Sequence, residues 1–466
     1  MTPVGSPTNP LRVAIVGAGP TGFYTAGHLF KQKDLAVTVD MYERLPAPFG
    51  LVRYGVAPDH QKIKSVIKQY DRTARDARFR FFGNVEIGKD LTIAQLRRHY
   101  HQIVYTFGAQ SDRRLGIPGE DLTGSHPATE FVAWYNGHPD FREHQFDLTR
   151  TAAAVIGVGN VAMDVARILA RTPEELYETD IADYALEALR HSQVRDIYVL
   201  GRRGPAQAKF TTPEIKELGE MADADITVPA AEAALDAISA AEMEGADRQM
   251  RTKVETIQSY ADRPGSGKSK RITLRFLVSP VELIGDDTGQ ITAMKIVKNK
   301  LVQKEDGRTS PTATDEFETI PVGLVFRSIG YRGEPLGDIP FHQRWGVINN
   351  TEGRVVDVAS AEPLPGEYTA GWIKRGPTGI IGTNKPDALE TVRHMLADAQ
   401  AGILLQPDAP DPQEAAATVA AGQPNFISYA DWEKIDAAEI ARGAETGRVR
   451  VKFVSDAEML AVLGRG

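Results

Sequence analysis

The chain of 466 residues contains no cysteine. That absence removes structural disulfides, cysteine-ligated iron-sulfur clusters, thiolate zinc sites and catalytic thiols together. A redox dithiol is excluded with them. No apolar run approaches the ~20 residues of a membrane-spanning helix. The opening stretch, Met1 to Pro10, has neither the apolar core of a secretion signal nor the arginine-rich pattern of an organelle transit peptide. The expectation is a cytoplasmic protein. Positive charge is also in deficit: the formal net charge is -8, so the molecule as a whole repels nucleic acid and anionic membrane surfaces, and an acidic partner needs a locally basic patch. With 42% hydrophobic and 25% charged residues, the chain can bury the cores of two or three domains.

The amino-terminal part carries a βαβ pattern. An apolar strand, Leu11 to Val16, runs into a glycine turn, a helical stretch from Thr21 to Lys31 and a second strand, Ala36 to Tyr42. Gly17, Gly19 and Gly22 form G-x-G-x-x-G between strand and helix, the context in which the motif means dinucleotide binding. The glycines let backbone approach a pyrophosphate, and the helix N-terminus supplies partial positive charge. Glu43, at the end of the second strand, stands where an acid hydrogen-bonds a ribose hydroxyl. A carboxylate there repels a phosphorylated ribose, so FAD or NAD fits better than NADP.

The plan repeats from Thr151, with a strand at Ala152 to Ile156, a helix at Val161 to Arg171 and a further strand at Ile197 to Leu200. Gly157, Gly159 and Ala162 form the G-x-G-x-x-A variant, with Asn160 and Val161 opening the helix and Met163 following as a nucleotide-contacting position. Where the first unit ends in an acid, this one reads Gly201, Arg202, Arg203, Gly204. Guanidinium groups match phosphate geometry, so this reversed charge selects the 2′-phosphate of NADP. The alternative is a solvated basic strand end. Two nucleotide sites of opposite charge preference describe an enzyme that moves hydride between nicotinamide and flavin.

Other segments set the organisation. Ile103 to Phe107 reads as a strand ending in a crossover, Leu324 to Ile329 as its counterpart, and Tyr368 to Trp372 as another strand. Ala230 to Gly245 reads as one surface helix, Arg263 to Arg271 as a polar turn between strands, and Gln406 to Pro424 as a loose connection to a final helical segment.

Three longer motifs carry a resemblance. LPAPFGLVRYGVAPDH (Leu45 to His60), GRRGPAQAKF (Gly201 to Phe210) and GWIKRGPTGIIGTN (Gly371 to Asn384) resemble the adrenodoxin-reductase-like ferredoxin-NADP reductases in order and approximate spacing. The resemblance implies an α/β fold of two Rossmann-like dinucleotide-binding domains, with an NADP domain, 109–327, inserted into a split FAD domain, 1–108 and 328–466. It also implies FAD contacts from Ala18, Glu43, Leu51, Val85, Trp372, Gly379, Ile380 and Ile381, with Gly379 also near NADP. By residue type alone Trp372 reads as a core aromatic ending a strand. Gly376, Gly379 and Gly382 permit close backbone approach, and Asn384 and Pro386 look like a helix start.

His60 and Glu214 are, by the same resemblance, the polar groups near flavin and nicotinamide, as positioning or tuning groups, because hydride transfer needs no acid-base step. On residue type alone His60 is a loop histidine, and Glu214, in Thr212, Pro213, Glu214, is a helix-start acid favoured by the helix dipole. The resemblance implies a monomer whose partner is an iron-sulfur ferredoxin. With no cysteine in this chain, the cluster belongs to another protein. Ferredoxins are acidic, and Arg248, Arg251, Lys253, Arg263, Lys268, Lys270, Arg271 and Arg275 fall in a stretch with few acids. They form a candidate docking face, or else the solvated face of a helix and hairpin. Two other functions use the same nucleotide sites: an NADPH-dependent flavin monooxygenase, for which no separate substrate segment stands out, and a non-catalytic flavin-binding sensor, which has no need of a complete NADP site.

Overall fold

Every residue of the strand Leu11–Val16 is buried, as expected of a parallel strand covered on both sides. Successive side chains divide between two cores. Leu11, Val13 and Ile15 join one cluster, and Ala14 and Val16 join another, which is the two-residue period of a strand facing two layers. The computed structural model describes residues 3–465; Met1, Thr2 and Gly466, assigned from sequence to the ends of the FAD domain, lie outside the described residues.

Leu11–Val16 pairs in parallel with Val37–Tyr42 on one side and Gln102–Tyr105 on the other. Phe79–Phe82 extends the sheet beyond Val37–Tyr42, and Pro363–Thr369 beyond Gln102–Tyr105, all in parallel. An antiparallel pair, Arg354–Val356 and Asn350–Thr351, finishes that edge. This is a doubly wound sheet with its first strand at the centre. It belongs to a compact unit drawn from the residues up to Val56, His60–Ser111 and the chain from Gly330 onward.

The second unit comprises Ala57–Asp59 and Asp112–Ile329. Its six-stranded sheet is parallel throughout, with Ala152–Ile156 flanked by Leu324–Arg327 and Asp196–Gly201. Lys270–Phe276 and Ala224–Thr227 continue beyond Asp196–Gly201. Val278–Gly285, Ile291–Gln303 and Thr309–Pro321 form a separate antiparallel sheet, and its Leu283, Met294 and Ile296 share a core with Ala154 and Ile156. No helix among the described residues is long and apolar enough to cross a membrane.

Several elements depart from the sequence reading. The strand expected to end at Trp372 stops at Thr369. Gly371 turns the chain at φ 79°, and Trp372 opens the helical turn Trp372–Arg375. The single helix expected at Ala230 to Gly245 is two, Ala230–Ala233 and Ala237–Glu244. Asp236 divides them, because its carboxylate caps the second by accepting the Ser239 N–H at 2.9 Å. The polar run at Arg263 to Arg271 follows a helix, Arg248–Gln258, rather than a strand, and leads into the strand that begins at Lys270. Within Gln406 to Pro424 lies a helix, Pro412–Gly422, capped by Asp411 with proline at its first turn and with Ala415 and Val419 buried.

Candidate functional site

At the first glycine turn the three glycines have three different reasons. Gly17 has φ 108°, and a Cβ there would lie 2.7 Å from the Phe107 backbone. Gly22 would drive a Cβ into the Gly17 carbonyl, so helix and strand close on each other only without one. At Gly19 a Cβ meets nothing within 4 Å, so this glycine leaves a cradle on the turn's open side. The helix Pro20–Leu29 begins there with Gly19 as its cap and no capping side chain. No side chain of the turn therefore competes with an anion for the positive end of the helix dipole.

Four of the residues assigned to FAD converge on this turn. The Glu43 carboxylate accepts the Ala18 N–H at 3.0 Å and the Leu45 N–H at 3.3 Å. Burial pushes its pKa up against the pull of those amides. The Ala18 carbonyl accepts the Phe49 N–H at 2.8 Å, and the Glu43 carbonyl accepts the Val85 N–H at 2.9 Å. Leu51 follows Gly50, whose Cα would carry a Cβ 3.1 Å from the Gly19 Cα, and it is 39% exposed. Val85 itself is buried.

The glycine-rich segment after Gly371 belongs to the same unit. Trp372 is half-buried, its ring 5.4 Å from that of Tyr331. Its Nε1 is sequestered with no hydrogen-bond partner among the described residues, an unmet donor of the kind a bound ligand satisfies. Gly379 takes φ 82°, and Ile380 is 56% exposed beside half-buried Ile381. A Cβ at Gly376 or Gly382 meets no atom within 4 Å. The helix Asn384–Gln400 follows. An open glycine cradle, an uncapped helix start and an orphaned indole donor fit a flavin dinucleotide.

The second glycine turn repeats the division of labour. Gly157 has φ 136°, and a Cβ there would collide with the Ser328 backbone. Gly159 again faces space with nothing within 4 Å, and it caps Asn160–Ala170 without a capping side chain. Ala162 and Met163 are buried residues of the helix, while Val161, at the helix start, is half-buried. Val158, between the glycines, accepts the Lys209 and Phe210 N–H groups at 2.8 and 3.1 Å. The Asn160 side chain accepts the Thr211 N–H at 3.0 Å. Asn160 thus anchors the start of the helix Thr212–Gly219.

Arg202 and Arg203 follow the strand Asp196–Gly201 and are held by their backbone. Asn299 Nδ2 donates to the Arg202 carbonyl at 3.0 Å, and the Leu277 N–H donates to the Arg203 carbonyl at 3.1 Å. Arg202 is exposed and Arg203 half-buried. Burial, and then the charge of Arg202, push the Arg203 pKa down, against a smaller opposing pull from Glu242.

Glu214 and His60 are placed differently. Glu214 is buried on the helix that Pro213 starts, and its carboxylate accepts Arg167 Nη1 at 3.0 Å. Arg167, fully buried, also holds Asp164 at 2.7 Å and Asp59 at 2.7 Å. Those hydrogen bonds and charges keep the Asp59 carboxyl well below the usual range against its own desolvation. Sequence reading did not single out Arg167, although one arginine in the otherwise apolar run Val165 to Ala170, three residues after Asp164, is a signal of a buried ion pair. His60, partly buried, caps the short helix Gln61–Lys64 through its carbonyl, not its ring.

The basic stretch is not one exposed face. Arg275 is buried, bridging Glu232 at 2.8 Å and Glu318 at 2.6 Å, because it lies on an internal strand. Lys253, Lys268 and Lys270 are half-buried and direct their ammonium groups to the carbonyls of Ala208, Met221 and Leu169. Arg248, Arg251, Arg263 and Arg271 remain exposed.

No family model matches the chain. NADPH-ferredoxin reductase FprA of Mycobacterium tuberculosis (strain ATCC 25618 / H37Rv) is 45% identical over 461 residues, covering 97% of this chain and 99% of that protein. Human mitochondrial NADPH:adrenodoxin oxidoreductase is 42% identical over 468 residues, covering 97% of this chain and 92% of that protein. The solved structure of Mycobacterium tuberculosis FprA in complex with NADPH superposes with a TM-score of 0.91 at 45% identity, over 97% of this chain and 99% of that one. With two glycine turns, one followed by Glu43 and the other by Arg202 and Arg203, and this similarity along nearly its whole length, the chain belongs to the adrenodoxin-reductase-like family of ferredoxin-NADP reductases.

Proposed function

We propose that this chain is an FAD-dependent NADPH:ferredoxin oxidoreductase. The observation that carries the reading is the opposition between the two turns: Glu43 closes one with a carboxylate, while Arg202 and Arg203 leave the other cationic. Bound FAD supplies the exchange between the two-electron chemistry of nicotinamide and the one-electron chemistry of an iron-sulfur centre.

The chain's own work is binding and alignment. Gly17, Gly19, Gly22 and the amides that follow hold the flavin pyrophosphate, with Glu43 toward its ribose. Leu51, Val85, Trp372 and Gly379 to Ile381 line the flavin. Gly157, Gly159 and the helix residues Asn160 to Met163 hold the NADPH pyrophosphate, and Arg202 and Arg203 take its 2′-phosphate. Glu214, held in place by Arg167, serves as a positioning residue for the nicotinamide end rather than as a proton donor, and His60 as a tuning group near the flavin.

An acidic ferredoxin docks through exposed cations, of which Arg248 and Arg251, one turn apart on the helix Arg248–Gln258, are the best placed. A monomeric, cytoplasmic protein completes the reading. The testing experiment is ferredoxin reduction under anaerobic conditions by NADPH and by NADH. NADPH-dependent oxygen consumption coupled to hydroxylation of an organic compound, with no ferredoxin turnover, would instead indicate a monooxygenase.

A further inference from the structure

Beside Arg203 the second unit contains a cavity of about 560 Å3, within the size range of small-molecule sites. Four cationic side chains line it, Arg203, Lys209, Lys253 and Arg308, against a single carboxylate, Glu242. Met250 contributes an apolar wall. Both Glu242 oxygens are committed, one to Gln207 Nε2 at 2.8 Å and the other to Thr309 Oγ1 at 2.8 Å. The acid thus ties the loop after the arginines to the long hairpin, and the cationic excess faces the cavity.

Lys253 is the informative member. Its sequence position groups it with the exposed arginines of the same helix, yet its ammonium turns inward to the Ala208 carbonyl at 2.5 Å. An ammonium has three donors, so two remain for a ligand. Burial lowers its pKa, and an anion beside it would oppose that shift. Arg308 sits on the exposed hairpin turn, held by Asp306 at 2.5 Å.

We infer that this cavity seats the 2′-phosphorylated adenosine end of the dinucleotide, and that Lys253, from a helix outside the glycine-turn motif, is a specificity-determining residue for NADPH alongside Arg203. The inference rests on the proposed NADPH site, and it moves Lys253 from the docking face to the nucleotide. The cavity lies at the strand end where ribose discrimination occurs in this architecture. Its charge matches a phosphate dianion, and Met250 offers an apolar surface to a base.

The test uses the FAD-loaded full chain and calorimetric binding of two probes that differ only by the 2′-phosphate, adenosine 2′,5′-bisphosphate and 5′-AMP. Lys253→Met should weaken the bisphosphate by about tenfold, as loss of one charge-assisted hydrogen bond does, and leave 5′-AMP within about twofold. Lys253→Arg, which keeps the charge, should restore the preference. Loss of both probes equally, no loss of either, or failure of the arginine variant to restore the preference would overturn the inference. Arg203→Ala separates the two levels of the argument. If it is selective and Lys253→Met is not, the NADPH site stands and the role of Lys253 falls; if neither is selective, the arginine reading falls as well.

Discussion

Glu43 reaches from the end of its strand to the turn that follows the neighbouring strand, its Oε2 accepting the Ala18 N–H at 3.0 Å. At the second glycine turn arginines stand in place of that acid. There the strand end carries Arg202 and Arg203, whose carbonyls are pinned by Asn299 and Leu277. On the function proposed above, a single βαβ design is specialised twice by the residues that follow its second strand.

The two middle glycines should separate binding from folding. Gly19 and Gly159 have negative φ values, -84° and -106°, and open space where a Cβ would go. Gly159→Ala is therefore expected to change stability by less than about 1 kcal/mol, keep FAD, and weaken NADPH binding at least about tenfold. Gly157→Ala, at φ 136° against the Ser328 backbone, is expected to cost more than about 2 kcal/mol and to reduce soluble yield. Melting curves and NADPH titrations on the same preparations check both.

Removing either guanidinium should affect one coenzyme. Arg202→Ala and Arg203→Ala are each expected to raise the KM for NADPH by about 10- to 100-fold, the equivalent of about 1.5–3 kcal/mol for a hydrogen bond to a charged group. The KM for NADH should stay within about threefold. Equal losses for both coenzymes would place the 2′-phosphate elsewhere.

His126 gives the second unit an acid-sensitive point. Burial, then the charges of Arg327 and His144, push its pKa down to about 4 from 6.5, and its ring packs 4.8 Å from that of Phe146. The folded value is depressed, so the unfolded chain binds the proton more readily between those pH values. Stability from the neutral ring is complete above about pH 6.5 and is lost as pH falls toward about 4, by about 2–3 kcal/mol. Melting temperatures at pH 7.5 and pH 4.5 should therefore fall further in the wild type than in His126→Gln. Identical falls would remove His126 as the cause.

The exposed arginines of the helix Arg248–Gln258 should govern the protein partner alone. Arg248→Glu with Arg251→Glu is expected to raise the KM for ferredoxin about tenfold at low salt and to flatten its salt dependence. Flavin reduction by NADPH should be unchanged. An unaltered ferredoxin KM would move the docking surface elsewhere.

Much of this arrangement was legible in the sequence because it is local. The buried strand LRVAIV, the glycine spacings and the change from Glu43 to Arg202 and Arg203 are all set by near neighbours in the chain. The parts that were not legible depend on distant residues. Trp372 leaves the strand because Gly371 turns at a positive φ with Thr21 against it. Arg275 and Lys253 look like members of one basic face until Glu232, Glu318 and the Ala208 carbonyl are brought to them by folding. Glu214 reads from the sequence as a helix-start acid favoured by the dipole, and only packing supplies Arg167.

The most direct test of the central claim is the visible flavin spectrum of the purified chain under anaerobic conditions. NADPH, NADH and then an oxidised iron-sulfur ferredoxin are added in separate runs and in sequence. The account predicts rapid bleaching by NADPH, much slower bleaching by NADH, and return of the oxidised flavin spectrum on adding ferredoxin. A chain that binds no flavin, or a flavin that NADPH does not bleach, would contradict it.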